Sequence, residues 1–232
     1  MTTRSSELLG YGPEARVLII NADDFGMYPS VNRAVVQSIE NGIASSCSVM
    51  PPCPGAREAL QLLQERRHIR FGIHLTLICD ITNVPWKPLA PSDKVSSLLD
   101  GSGNLFTPSA KSQLLAQARL DEIERELRMQ IEAVLVAGLT PTHLDWHALA
   151  DGGRDDIFDL SLALAEEYQL AARVWLDRGR RAARARDLPV VDHDFSTALL
   201  LTSMVRPSAT VGCYTICQQG SASGLCTLAS AM

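Results

Sequence analysis

Short runs of β-branched and other apolar residues alternate along this chain with longer segments of helical periodicity. Residues 16–20, RVLII, form the first run, entered from Gly-Pro and left by polar residues, which predicts a buried strand. A helix is predicted next, with Ser30 as N-cap, Val31, Val35 and Ile39 on one face and Gly42 where a C-cap belongs. Residues 43–50 predict a second strand, residues 53–64 a helix with Ala59, Leu60 and Leu63 inward, and residues 70–77 a third strand. The longest amphipathic helix is predicted over residues 111–137, where Leu120, Ile123, Leu127, Ile131 and Leu135 keep one face and Gly138 ends it. Residues 142–146, 155–169 and 172–176 then read as strand, helix and strand.

Strands alternating with helices imply parallel pairing, either in a closed (β/α) barrel or in an open doubly wound sheet. Residues 80–108 break the rhythm with Pro85, Pro88, Pro91 and Pro108 and a Gly-Ser-Gly turn at 101–103. A stretch of this length without periodicity is either functional or a linker, and Trp86 and Phe106 favour an ordered excursion. The chain has 232 residues, 46% of them hydrophobic, enough for one domain with a sizeable core. A formal charge of −5 argues against a nucleic-acid partner. The basic cluster Arg178, Arg180, Arg181, Arg184 and Arg186 reads as a solvated helix face. No apolar run is long enough to span a bilayer, and residues 1–14 lack the apolar centre of a signal peptide, so a cytoplasmic protein with no membrane partner is expected. The six cysteines form no paired C-x2-C units, which points to free thiols rather than a structural zinc.

Candidate chemistry lies at the strand ends. Asp23 and Asp24 follow the first apolar run, and three of the five histidines, His74, His143 and His147, fall in FGIHLTL and PTHLDWH. In parallel α/β folds all strand C-termini open on one face, so these remote residues could converge there. One carboxylate with two imidazoles can hold a divalent ion and leave positions open for water and substrate. A second carboxylate beside the ion can accept the proton of the attacking water. The pair Asp23 and Asp24 offers a residue for each role. Blander readings stand beside this one. An Asp-Asp pair after a strand also suits a helix cap or turn, and a histidine in an apolar strand also suits a hydrogen-bonded core position. Trp86 suits a loop anchor as well as a platform for a sugar ring.

Taken together, NADDFG, NGIASSCSVMP, FGIHLTL and PTHLDWH resemble the YdjC-like carbohydrate deacetylases over roughly residues 16–194. The resemblance implies a (β/α) barrel-like fold and metal-dependent removal of acetyl groups from N-acetylated sugars; for the one divalent ion, a carboxylate with two imidazoles suits zinc, with magnesium next and manganese and cobalt also open. It implies that Asp24, His74 and His147 hold the metal and that Asp23 is the general base. It further implies that His143 and Asp145 support the site from behind the ligands, and that residues 80–108 form a loop beside it, with Trp86 a candidate substrate contact. A homodimer fits the resemblance as well.

The chain departs from the family pattern in two places. Trp146 stands where a serine is usual in the HLDxH motif, and Ala148, Leu149 and Ala150 follow His147 where further histidines are usual. Residues 195–232 hold a single charged residue, Arg206, and half of the cysteines, and no histidine follows His193. The late histidine that the family resemblance would supply as general acid is therefore absent. The expectation is a deacetylase-like (β/α) domain over 1–194, distorted and incomplete at its C-terminus, followed by an atypical tail over 195–232 that reads as a shifted frame. Two other functions stay open: hydrolysis of another bond, and a catalytically impaired remnant that binds sugar or metal.

Overall fold

In a computed structural model, which describes residues 10–12, 17–80 and 83–191 and the backbone of 214–216, the apolar runs line up as one parallel sheet. Its strands are β1 (Ile20–Phe25), β2 (Ser46–Val49), β3 (Phe71–Leu75), β4 (His143–Trp146), β5 (Ala171–Ala172) and β6 (Tyr214–Ile216), in the order β5-β4-β3-β2-β1-β6. All five pairings are parallel. The fold is therefore α/β, as the alternation of patterns predicts. From β1 to β5 each strand lies beside its predecessor, and β6 returns to the free side of β1. That order fits a (β/α) barrel opened between β5 and β6, and equally an open sheet whose direction reverses at β1. Among the described residues no pairing joins β5 to β6.

The first strand lies further along than its hydrophobicity predicts. Residues 17–19 are outside the ladder, with Leu18 39% and Ile19 43% exposed, whereas β1 runs on through Asn21, Asp23 and Asp24. Register explains the shift: Asn21 pairs with Ser46, Ala22 with Cys47 and Phe25 with Val49, with an irregularity between Ala22 and Phe25. Asn21 and Asp23 tolerate burial because other side chains satisfy them. Hydrophobic patterning alone stops at Ile20, since it has no means of seeing those partners.

Helices α1 (Pro29–Glu40), α2 (Ala56–Glu65), α3 (Lys111–Gln117), α4 (Leu120–Val136), α5 (Asp155–Glu167) and α6 (Asp177–Ala185) connect and cover the strands. The N-cap of α1 is Tyr28, two residues ahead of the predicted Ser30, because Pro29 suits the first helical position, where an N–H would be left unpaired. The single helix predicted over 111–137 is two, divided at Ala118 and Arg119. Arg154 causes the break from outside: its guanidinium donates to the carbonyls of Leu115 at 2.8 Å and Ala118 at 2.9 Å. Ser97 Oγ then accepts the Arg119 N–H at 3.0 Å. On α4 the buried face is Ile123, Leu127, Ile131 and Val134, while the predicted Leu120 and Leu135 are exposed. These side chains pack with Ile73, Leu75, Leu144, Ile157 and Leu162 into the main core. The strand predicted over 172–176 shortens to two residues because the Asp151 carboxylate draws away the N–H groups of Trp175 and Leu176. On α6, Arg178 is exposed, but Arg180 is buried and donates to the Trp175 carbonyl at 2.9 Å, so that face is not wholly solvated.

The excursion between β3 and α3 is ordered where described. It contains short 3-10 turns at Ser92–Lys94 and Ser96–Leu98. The Cys79 N–H donates to Phe106 O at 2.8 Å and the Leu105 N–H to Trp86 O at 2.9 Å. Trp86 sits with Met27, Met50, Cys53, Cys79, Leu99 and Leu105 in a second apolar cluster. No helix among the described residues is long and apolar enough to cross a membrane.

Candidate active site

Strand geometry assembles the candidate residues at the C-terminal end of the sheet. β1 ends in Asp23-Asp24-Phe25, β3 carries His74 and β4 carries Asp145, with His147 just beyond it. His74 and Asp145 are register partners, which brings His74 Nδ1 to 2.6 Å from Asp145 Oδ1. Asp24 has a left-handed backbone, φ 64°, followed by Gly26 at φ 98°. This turn swings its carboxylate off the strand direction. Asp24 Oδ1 lies 3.4 Å from His74 Nε2 and 3.2 Å from His147 Nδ1.

The turn is clamped from α1. Buried Asn32 accepts the Gly26 N–H at 2.7 Å and donates to Gly55 O at 3.0 Å and Glu58 Oε2 at 2.8 Å. One amide side chain thus fixes the DDFG turn against the start of α2.

Asp24, His74 and His147 present donor atoms within 4.8 Å of one another. Two further observations fit a cation there. His147 turns Nδ1 toward Asp24, and its other nitrogen, Nε2, is buried 3.1 Å from Asp80 Oδ2, which adds a further carboxylate beside the cluster. Asp145 fixes the His74 ring through Nδ1, leaving Nε2 turned toward Asp24. The charges behave accordingly. Burial pushes the Asp24 carboxyl up, but His147 and His74 outweigh it and hold the group well below the usual carboxylate range. Burial opposes a charged His74 ring, yet Asp145 and the bonds to Asp145 and Asp24 raise its pKa to about 10. His147 is likewise raised: burial works against the charge, and Asp24 and Asp80 overcome it.

Asp23 takes a different position from Asp24. It is buried and accepts from Asn21 Nδ2 at 2.7 Å and from both terminal nitrogens of Arg173, at 2.8 and 2.9 Å. The adjacent carboxylates are thus separated, one toward the two imidazoles and the other toward a guanidinium. Asp145 accepts from Ser48 Oγ at 2.5 Å and lies 3.0 Å from Arg173, and Asn21 Nδ2 also donates to Ser48 at 2.6 Å. Burial raises Asp145, but Arg173 and His74 more than offset this and leave it strongly lowered. His143 stands at the back of this network, its Nε2 3.7 Å from Asp145 Oδ2 and its Nδ1 2.9 Å from Thr142 Oγ1. Burial lowers its pKa, which favours the neutral ring.

The predicted residues Asp23, Asp24, His74, Asp145 and His147 therefore meet, with His143 behind them. Trp86 also borders the site, its ring centroid 5.9 Å from that of His147, but it is only 1% exposed and presents a wall rather than an open face. Arg173, Asp80, Asn21 and Ser48 complete the network without having stood out in the chain. Asp80 closes an apolar run and looks like its boundary. Arg173 is a lone charge inside LAARVWL, and that mismatch is the signal that could have found it.

The family model described as YdjC-like protein matches residues 17–224. The chain is 35% identical over 177 residues to a carbohydrate deacetylase of Geobacillus stearothermophilus, covering 76% of this chain and 65% of that protein. It is 36% identical over 158 residues to a carbohydrate deacetylase of Thermoanaerobacter pseudethanolicus, covering 68% and 60%. The chain thus spans somewhat less than two thirds of the length of these curated relatives. A crystal structure from Enterococcus faecalis V583, described as a candidate cellobiose-phosphate cleavage protein, superposes with a TM-score of 0.71 at 27% identity, covering 85% of this chain and 79% of that one.

Proposed function

As the chain belongs to the YdjC-like protein family, we propose that it is a metal-dependent carbohydrate deacetylase, releasing acetate from N-acetylated sugars. The convergence of Asp24, His74 and His147 within 4.8 Å carries this reading. These three side chains would hold one divalent ion; two imidazoles and a carboxylate suit zinc, and magnesium stays compatible through added waters. When bound, such an ion lowers the pKa of water and polarises an acetamide oxygen. The protein's own groups do the rest. Asp145 orients His74 through Nδ1, and Asn32 fixes the turn that presents Asp24. Asp23, buried beside His74 but facing Arg173, takes the proton of the attacking water on a carboxylate oxygen. Trp86 and the loop behind it exclude water on the His147 side. We read the protein as cytoplasmic, in keeping with the buried free thiols Cys47, Cys53 and Cys79, and as a homodimer, which light scattering tests directly.

The test is acetate release from N-acetylglucosamine oligomers by the folded protein, with metal analysis alongside. One ion per chain and acetate release, both lost in His74→Ala, are expected. Phosphate release from a sugar phosphate without acetate release would replace this reading with hydrolysis of another bond. A second reading rests on residues 195–232, where Arg206 is the one charged residue. If the frame shifts near residue 195, the general acid is lost and the protein binds sugar without turnover. Translating the coding DNA in the other two frames should then reveal a charged sequence with a histidine, and its absence from both ends that reading.

A further inference from the structure

A second cluster stands beside the proposed metal centre. Asp23, His74 and Asp145 bring donor atoms within 4.8 Å of one another, and all three are buried. Two carboxylates and an imidazole in that space would ordinarily attract a cation of their own. The protein supplies one. Arg173, extending from the end of β5, donates to both oxygens of Asp23 at 2.8 and 2.9 Å, and its second terminal nitrogen lies 3.0 Å from Asp145 Oδ2. Its side chain is 9% exposed, and its guanidinium lies 5.4 Å from the centre of the Trp175 ring. The Asp151 carboxylate, accepting from Trp175 and Leu176, fixes the chain just after it.

We propose that Arg173 fills, as a fixed organic cation, what would otherwise be a second metal site. It thereby keeps the centre mononuclear and holds Asp23 out of the ligand set. The inference rests on the reading of Asp24, His74 and His147 as metal ligands. Arg173 acts through Asp23, whose carboxylate it holds; it is a positioning residue that sorts two adjacent carboxylates into one ligand and one base. A planar fork with five donors can satisfy both carboxylates at once, whereas a metal ion there would draw Asp23 into coordination.

The experiment counts manganese on the full chain, by metal analysis and electron paramagnetic resonance, for wild type, Arg173→Met and Arg173→Met with Asp145→Asn. One ion per chain is expected in wild type. Arg173→Met should take up two ions with a spin-coupled spectrum, and the double variant should return to one. A folded Arg173→Met that still binds one ion overturns the inference and leaves the ligand reading intact. No ion in wild type or variant overturns the ligand reading and the inference together. If Arg173→Met is unfolded without metal, millimolar manganese should restore its circular dichroism, because the ion replaces the missing charge. A variant that stays unfolded with manganese overturns the inference.

Discussion

Gly72 has no side chain because His143 needs the space. A Cβ at position 72 would lie 2.4 Å from both Cδ2 and Nε2 of the His143 ring. Gly72→Ala should therefore cost about 1–3 kcal/mol, the usual range for overpacking a filled interior, read from urea unfolding. The same change in a His143→Ala background should cost far less, since contacting residues couple. Asn32 is the second residue on which the site depends. Asn32→Ala leaves the Gly26 N–H and the Gly55 carbonyl without their side-chain partner, so a loss of about 1–3 kcal/mol is expected. Manganese affinity should fall with it, as the Asp24 turn loosens, and isothermal titration would measure that. Asn32 lay in plain view in the sequence. A polar residue at a helix position that periodicity could assign to either face does not reveal its partners, so its clamping role was not legible. The convergence of His74 and His147 beside Asp24 was legible because histidine is scarce in this chain and two short motifs contain three of the five.

At the scale of elements, two carboxylates of α4 hold the loop over residues 80–108, Glu122 by accepting the Ser97 N–H at 2.7 Å and Glu126 nearer the site. Glu126 accepts the Leu89 N–H at 3.1 Å, the Ala90 N–H at 2.8 Å and Gln130 Nε2 at 2.8 Å. Gln130 in turn bonds both the N–H and the carbonyl of Thr76, just past β3. Burial pushes the Glu126 carboxyl above its ordinary 4.5, against the bonds from Ala90, Gln130 and Leu89. A carboxyl raised on folding binds its proton more tightly in the folded state. Its contribution to stability is therefore complete below pH 4.5 and is lost as pH rises through the raised value. The melting temperature of wild type should fall over that window relative to Glu126→Gln, in which nothing titrates; thermal melts from pH 4 to pH 8 would read the difference. A wild-type curve parallel to that of the variant would count against it. Helix periodicity located α4 correctly but joined it to α3, because the break comes from Arg154, 35 residues beyond Arg119. Patterns local to a segment do not register a hydrogen bond delivered from another element.

For the molecule as a whole, the alternation of periods was enough to give a parallel α/β sheet. The order of strands was not legible, since it depends on register and on how each helix packs back. β6 shows why. It comes from the stretch whose composition sets it apart as a tail, yet its backbone pairs with β1, Ile20 beside Tyr214 and Ala22 beside Ile216. β1 carries both Asp23 and Asp24. A chain ended after Asp194 should thus expose the free edge of the strand that holds the site. Self-association in light scattering and a lower urea midpoint are expected, as for any uncovered edge strand. A monomer of unchanged stability would mean that β6 contributes nothing to the sheet.

The backbone at Asp24 carries a consequence for adaptation. An aspartate at φ 64° sits in a conformation that glycine adopts freely and that costs other L-residues about 1 kcal/mol. Glycine at position 24 would relax the turn, but it would also strip His74 and His147 of the carboxylate they share, and a carboxyl held so far below its usual range stabilises the fold. Selection for thermal endurance alone therefore gives a lineage little reason to shed this backbone strain. It can lose the strain only together with the charge around which two buried imidazoles are arranged.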